Sequence, residues 1–534
     1  MRRGAPGAVL PEPGEAQTSP PVCEVKFMAS DACGNSEWPG RRSIPRLYVL
    51  AIIVAAMLLR LPFMRGDLTD HDTWRQTDTA TIARNFVADG NILWPRVNWA
   101  APGPGYVEAE FQLVPYAASL VYRLFGENAL FGRLLSLVMT CLTCLTFHRL
   151  AHRFFDPWAA LVALTFFAMS PLLFRYSRDF IPDPTMLCFY LVALERFLAY
   201  LDDRGWTSLI ASAAAMGLAI LVKPTSIHLG LVLAIVAVAR MGWGGLLRPQ
   251  LLVFAAISLL PPFAYYLHAA EIHFAYGNTF GVISGGDSKF GKLSDCLDPL
   301  LVPRLLRIDI QWAAGPVGWL LALAGLIAYR SEGWRLLGCS WVGTLLIYYL
   351  IVARYAGNEQ LGLHYHLFAA APIALLAGGG LVALVERCRR IRFAGLVVVM
   401  ALVLGYEGLA AGLIVTKKPH RLFREAGAKL AELSSQDDIV LVLSEDVAGR
   451  PEAPNNFEQP DVFFHARRRG RLLPRDRQTH EGLEQGLSYG PRWYVNFDRF
   501  NDRAEPTFLP EIRRRMREVF VGDGFEIFAV IRSR

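Results

Sequence analysis

The sequence predicts a polytopic α-helical membrane protein of about eleven transmembrane helices, followed by a small extracytoplasmic α/β domain. Three observations carry this reading. Of 534 residues, 53% are hydrophobic and 19% charged, with a mean hydropathy of +0.31, too apolar for a soluble chain of this length. Apolar runs recur at 47–64, 129–150, 157–174, 181–199, 207–222, 226–240, 250–267, 313–329, 335–352, 363–385 and 393–415. After residue 416 the composition changes, and Ile439-Val440-Leu441-Val442-Leu443 reads as a buried strand.

Residues 1–43 are rich in Pro, Gly, Ser and Ala and hold no apolar run of signal-peptide length, so they predict a disordered cytoplasmic tail. Arg41, Arg42 and Arg46 precede the first run and place the N-terminus in the cytoplasm. Several runs fall short of the ~20 residues that cross a bilayer upright, which predicts one or two packed half-helices. The loop charges agree with the alternation. Arg149 and Arg153, Arg204, Arg240 and Arg248, Arg330 and Arg335, then Arg387, Arg389, Arg390 and Arg392 all fall on the inner side. The transmembrane domain is therefore 44–415, with outer loops 65–112 and 269–312, and the α/β domain is 416–534.

In the first outer loop, Ile82, Ala83, Phe86 and Val87 form an apolar stripe at helical spacing before Gly90-Asn91, which predicts a helix on the membrane surface. Residues 111–126 form a second amphipathic stretch. The loop 269–312 carries a Gly-rich tip, Ser284-Gly285-Gly286-Asp287, of the kind that orders around a substrate. Beyond 416, residues 421–433 read as a helix, and 493–497 and 525–531 as strands. The net charge of +7 comes from short basic clusters between apolar runs, which are topology signals and not a nucleic-acid surface. Eight scattered cysteines imply no disulfide. Cys141 and Cys144 form a CxxC inside an apolar run, like Cys188 and Cys339, and behave there as small hydrophobes, while Cys23, Cys33 and Cys296 lie in polar stretches.

Charge collects at one membrane face. Asp70-His71-Asp72-Thr73-Trp74-Arg75 follows the first run and is answered by Glu108-Ala109-Glu110. Asp179 and Asp183 open the fourth run, Lys223 ends the fifth, Arg354 ends the ninth, and His364-Tyr365-His366 open the tenth. Each alone reads as a helix cap or a snorkelling side chain. Together they predict an outward polar cavity, with acids for proton abstraction and Lys, Arg, His and Tyr for an anionic phosphate at headgroup level.

Asp72, then Thr79-Ala80-Thr81-Ile82-Ala83-Arg84-Asn85-Phe86, Glu110-Phe111-Gln112-Leu113-Val114-Pro115-Tyr116, Leu124-Phe125-Gly126 and Arg133, together resemble the GT-C polyprenyl-phosphate-dependent glycosyltransferases. The similarity is to the bacterial protein-mannosyltransferase-like and aminoarabinose-transferase-like members, over about 45–415. It implies a bacterial inner (plasma) membrane protein that uses a polyprenyl-phosphate-linked sugar and inverts the anomeric centre. The acceptor is an envelope glycan, lipid or protein bound from the outer side. In that class an Asp of the first outer loop is the essential acid, commonly followed by Glu. Here Thr73 follows Asp72, and Asp70 is positioned for the second role. Glu110, Asp183 and Lys223 match the family's later positions.

The chemistry also follows from the residues. A sugar phosphodiester has an anionic leaving group that needs no protonation, so the site needs a base for the acceptor hydroxyl or amine and cations for the phosphate. Asp72 is the base. Arg75, Lys223 and Arg354, with His364 and Tyr365, are candidates for the phosphate, and Glu110, Asp183 and Asp70 for hydroxyls or for orienting the base. Asp70-His71-Asp72 also has the donor set of a divalent-metal site. The reading is a hexosyl- or pentosyltransferase. The competing class is a secondary transporter of an anionic or glycolipid substrate, for which duplicated halves with charges at the midplane are expected.

Overall fold

The computed structural model describes residues 46–64, 66–70, 72–155, 157–282, 293–328, 332–387, 392–416, 421–444 and 460–531. The tail 1–43 with Cys23 and Cys33, His71, Asp156, the tip 284–287 and Arg330, Arg389 and Arg390 lie outside the described residues. The first half of the bundle comprises α1 (Arg46–Leu58), α2 (Thr73–Asp89), α3 (Leu113–Phe125), α4 (Ala129–His152), α5 (Pro157–Met169), α6 (Pro171–Tyr176), α7 (Asp183–Asp203) and α8 (Trp206–Val222). It continues with α9 (Leu229–Met241), α10 (Pro249–Tyr276), α11 (Leu301–Asp309), α12 (Gly315–Ala328), α13 (Glu332–Ile351), α14 (Leu367–Arg387) and α15 (Arg392–Thr416).

Among the described residues, eight helices are long and apolar enough to cross a membrane. The runs expected at 157–174 and 207–222 are shorter helices, as is the apolar stretch Met400–Ile414 within α15. The first of these breaks for a local reason: Ser170-Pro171 ends α5, and Pro171 restarts the chain at the first position of α6, where its missing N–H costs nothing. Arg60 ties this break to α1, donating from Nε to Ser177 Oγ (2.6 Å), from Nη1 to Ala56 O (2.6 Å) and from Nη2 to Ala168 O (2.7 Å). Those bonds let a guanidinium be wholly buried. Within a bilayer, helices associate through close packing because lipid removes the hydrophobic drive between them. α12 and α14 meet at Gly325 and Gly380, where a Cβ on Gly380 would lie 1.8 Å from the Leu321 carbonyl oxygen.

The C-terminal domain is a five-stranded sheet with α16 (Leu422–Leu433) and α17 (Asp461–Ala466) packed together. Its strands are β1 (Ile439–Ser444), β2 (Arg469–Pro474), β3 (Trp493–Phe497), β4 (Met516–Val521) and β5 (Phe525–Val530), in the order β2-β1-β3-β5-β4. β1 is parallel to both β2 and β3, while β5 runs antiparallel to β3 and β4. β1, β3, β5 and α16 coincide with the segments predicted from sequence; β2 and β4 are additions.

The edge at β2 is covered by the first loop. Ala101 N–H donates to Gly470 O (3.0 Å), and Gly470 N–H donates to Asn98 O (2.9 Å). Arg471 Nε reaches Ala101 O at 2.6 Å. Arg424 also pairs with Asp67 (3.0 Å), and Arg84 donates to Phe464 O (3.1 Å). The loop carrying Asp72 and the sheet domain therefore share one end of the bundle. This corrects the reading of α2: Ile82 and Phe86 join Val440, Val442, Phe463 and Phe497 in one core, so the stripe faces the sheet domain and not the bilayer. Val87, the stripe's last member, is 39% exposed.

Gly470 lets β2 pack closely against β1 and α17, since a Cβ there would sit 1.9 Å from Val440 O and 2.5 Å from Phe463 Cε1. Gly470→Val is expected to destabilise the domain by about 1–3 kcal/mol through overpacking. The check is the thermal midpoint of the purified full chain, and an unchanged midpoint contradicts the close approach.

Candidate functional site

Asp72 occupies the residue before α2 with left-handed backbone angles (φ 47°, ψ 40°), which non-glycine residues seldom adopt and which concentrate at functional positions. One carboxylate oxygen accepts from Arg175 Nη2 at 3.0 Å. Arg175 comes from the end of α6, so the break at Ser170-Pro171 delivers this cation. One turn into α2, Arg75 Nη2 donates to Glu110 Oε2 at 2.8 Å, and its guanidinium lies 5.2 Å from the Phe280 ring centre.

Glu110 is fixed by its backbone. Tyr265 hydroxyl lies 3.1 Å from both the Ala109 and Glu110 carbonyl oxygens, and Phe111 N–H donates to Leu221 O at 3.0 Å. Glu108 N–H donates to Asn278 O (3.0 Å) and Phe280 N–H to Glu108 O (2.9 Å), which zips the loop after α1 to the segment after α10. The third pair joins Lys223, where α8 ends, to Asp183, where α7 begins. Lys223 Nζ also sits 5.7 Å from the centre of the Tyr365 ring.

Five members of these three carboxylate–cation pairs line one cavity of about 530 Å³, within the range of small-ligand sites, and Arg175 stands outside the lining as the partner of Asp72. Asp72, Arg75, Glu110, Asp183 and Lys223 line its polar part, with His364 and Tyr365. Leu259, Pro262, Phe263, Ile227 and Ile351 make the remainder apolar. Seven of the nine residues predicted from sequence thus meet in one place.

Asp70 and Arg354 are not among the lining residues. Asp70 lies behind Asp72, where it pairs with Arg133 and approaches Arg178 at 3.9 Å. Burial alone would raise its carboxyl pKa, but the charge and hydrogen bond of Arg133 outweigh that and hold it below the usual range. Gln76 Oε1 braces Arg133, accepting from Nε (3.2 Å) and Nη2 (3.0 Å) as well as from Phe180 N–H (2.9 Å). Arg354 packs over Tyr355, 5.5 Å from the ring centre, and only Tyr355 reaches the cavity, since neighbours on a helical turn point about 100° apart.

Sequence reasoning missed Arg175, Tyr176, His228, Tyr266, Phe280 and Tyr348 as lining or pairing residues. Arg175 carried a signal, a cation at the end of an apolar run. His228, Tyr266 and Tyr348 carried none, because they sit inside runs that read as span, and Tyr176 and Phe280 lie between runs, where nothing in the sequence says what they face. For a metal, the carboxylates of Asp70 and Asp72 are each already held by guanidinium groups. Among the described residues, the group with suitable mutual spacing is His480, Glu484 and Glu511 in the sheet domain, where Arg515 pairs with both acids.

Comparison with known proteins agrees with this architecture. Residues 112–266 match the family described as dolichyl-phosphate-mannose-protein mannosyltransferase. No curated protein sequence matches the chain. Among solved structures, ArnT from Cupriavidus metallidurans bound to undecaprenyl phosphate is 14% identical with a TM-score of 0.61, covering 91% of this chain and 98% of its own. The Archaeoglobus fulgidus oligosaccharyltransferase, tethered to an acceptor peptide, is 13% identical with a TM-score of 0.53, covering 85% of this chain and 70% of its own. The mycobacterial arabinofuranosyltransferase AftD is 15% identical with a TM-score of 0.57, covering 92% of this chain and 40% of its own. At these identities the likeness establishes the fold. The chain is a polytopic helical membrane protein of the GT-C fold with a C-terminal α/β domain, and the resemblance read from its sequence is borne out.

Asp78 sits where α2 meets the sheet domain, 3% exposed, with Trp99 Nε1 donating to Oδ1 at 3.0 Å. Burial pushes its carboxyl from 3.8 up to about 8, against the pull of Trp99 and Arg75. Because the folded value is raised, the proton's contribution to stability is complete below the unfolded value and is lost as pH rises through about 8. The thermal midpoint of the wild type is expected to fall between pH 4 and pH 8 more steeply than that of Asp78→Asn. Parallel profiles for the two proteins contradict the assignment.

Proposed function

We propose that this protein is an inverting glycosyltransferase that moves a hexosyl or pentosyl unit from a polyprenyl-phosphate donor to an acceptor hydroxyl or amine. The reaction takes place at the extracytoplasmic end of the bundle, in a bacterial inner membrane, with the N-terminus cytoplasmic. The acceptor is an envelope glycan, lipid or protein. One observation carries the reading: a cavity on the GT-C fold joins three carboxylate–cation pairs to an apolar lining, and so suits a ligand that is a sugar phosphate at one end and hydrocarbon at the other.

The paired charges define the steps. A phosphodiester brings one negative charge into a site whose three acids and three cations cancel. Lys223 turns from Asp183 to the phosphate, and Asp183 is released to accept hydrogen bonds from sugar hydroxyls. Arg75, anchored by Glu110, supports the phosphate from the other side. Asp72 takes the proton from the acceptor as its oxygen or nitrogen bonds to the anomeric carbon and the bond from that carbon to the phosphate oxygen breaks. The lipid phosphate leaves as an anion held by Lys223 and Arg75.

Replacing Asp72 by Asn keeps the shape and most of the hydrogen bonding but removes the basicity. Turnover of Asp72→Asn is expected to fall by about 10²–10⁴-fold, while affinity for undecaprenyl phosphate stays near that of the wild type. Turnover close to wild type removes Asp72 from the chemistry. Lys223→Ala should do the reverse to binding, weakening undecaprenyl phosphate by about tenfold or more in equilibrium titration of the purified protein. Unchanged affinity returns Lys223 to a purely structural partner of Asp183.

A further inference from the structure

Asp309, the last residue of α11, is a buried carboxylate outside the cavity lining. Its partners are Tyr349, whose hydroxyl donates to Oδ1 at 3.0 Å and lies 3.2 Å from Oδ2, and His366, whose Nδ1 stands 2.6 Å from Oδ1. His366 is wholly buried, and its other ring nitrogen donates to Ala356 O at 2.9 Å. Both partners adjoin cavity residues in sequence, Tyr349 following Tyr348 and His366 following Tyr365. The two lining rings lie 6.4 Å apart, and Lys223 Nζ sits 5.7 Å from the Tyr365 centre. Just after Asp309 the helix widens into a π turn, Ile310–Ala314, before Gly315 begins α12. Such turns recur at functional positions. One carboxylate thus holds together α11, α13 and the segment 353–366, the last two of which each place an aromatic ring in the cavity.

We propose that Asp309 is a positioning residue: through Tyr349 and His366 it sets the Tyr348–Tyr365 wall against which Lys223 is held, so phosphate affinity depends on a carboxylate that never touches the ligand. The assignment rests on the reading of the cavity as a polyprenyl-phosphate site. The physical basis is the cost of an unmet buried polar group. With the carboxylate altered, Tyr349 and His366 reorient to find other partners, and the rings joined to them in sequence move too. A clamp serving only the bundle would lower stability and leave the ligand's affinity alone.

The test uses the full chain in lipid nanodiscs, titrated with undecaprenyl phosphate, with the thermal midpoint measured on the same samples. Asp309→Asn and His366→Gln are expected to weaken binding by about tenfold, and the milder Tyr349→Phe by about threefold. Arg153→Gln is the control, because Arg153 joins Glu195 (3.0 Å) and Asp202 (2.8 Å) at the far ends of α4 and α7, away from the cavity lining. It should shift the midpoint and leave affinity unchanged. Adding Asp309→Asn to Lys223→Ala should weaken binding by less than about twofold further, because the wall acts through Lys223. Wild-type affinity in Tyr349→Phe and in whichever of the two stronger variants folds overturns the assignment. So does loss of affinity in Arg153→Gln equal to that in Asp309→Asn. A wild type that does not bind undecaprenyl phosphate overturns the reading of the cavity, and this assignment with it.

Discussion

The architecture depends on one electrostatic constraint: a charge at the rim of an apolar bundle needs an opposite charge or several hydrogen bonds beside it. Breaking a buried pair by removing one partner costs about 3–5 kcal/mol, a large share of the stability of most proteins. The cavity obeys this throughout. Asp72 has Arg175, Glu110 has Arg75, Asp183 has Lys223, and Asp70 behind them has Arg133. Pairing of this kind keeps a site stable while empty, and it makes an incoming anion exchange partners with a carboxylate already present.

The same constraint explains where the chain is irregular. Each cation of the three pairs comes from a point where a helix starts or stops. Arg175 lies at the end of α6, Lys223 follows α8 where Pro224 forbids continuation, and Arg75 lies in the first turn of α2. Helix ends put polar side chains at the boundary between hydrocarbon and water, where a long side chain keeps its stem apolar and its charge hydrated or paired. The charge of the wholly buried Arg60, just past the end of α1, is tolerated because its donors end on two backbone carbonyls and a hydroxyl.

The sheet domain contributes rigidity. Its β2 edge would otherwise present unpaired backbone groups, and the loop at 98–101 closes it. The loop that carries Asp72 is thereby caught between the bundle and the sheet. Ile82 and Phe86 of α2 are shared with the sheet's core, so the helix that begins at Asp72 is packed on both flanks. A left-handed Asp72 persists in such surroundings because neighbouring packing over-determines the backbone.

By itself the sequence determined the membrane class, most of the spans, three of the five strands and seven cavity-lining residues out of nine proposed. These properties are local: an apolar run declares itself within about twenty residues, and β1 through its unbroken Ile-Val-Leu-Val-Leu. The tertiary structure decided what is non-local. No pattern within the chain links Asp72 to Arg175, 103 positions away, or Asp183 to Lys223. β2 was illegible because Arg469-Gly470-Arg471 carries no strand signal and acquires one only by pairing with β1 and the loop. The stripe on α2 was legible as apolar, but periodicity specifies a buried face and not what buries it, and the sheet domain took the place assigned to the bilayer.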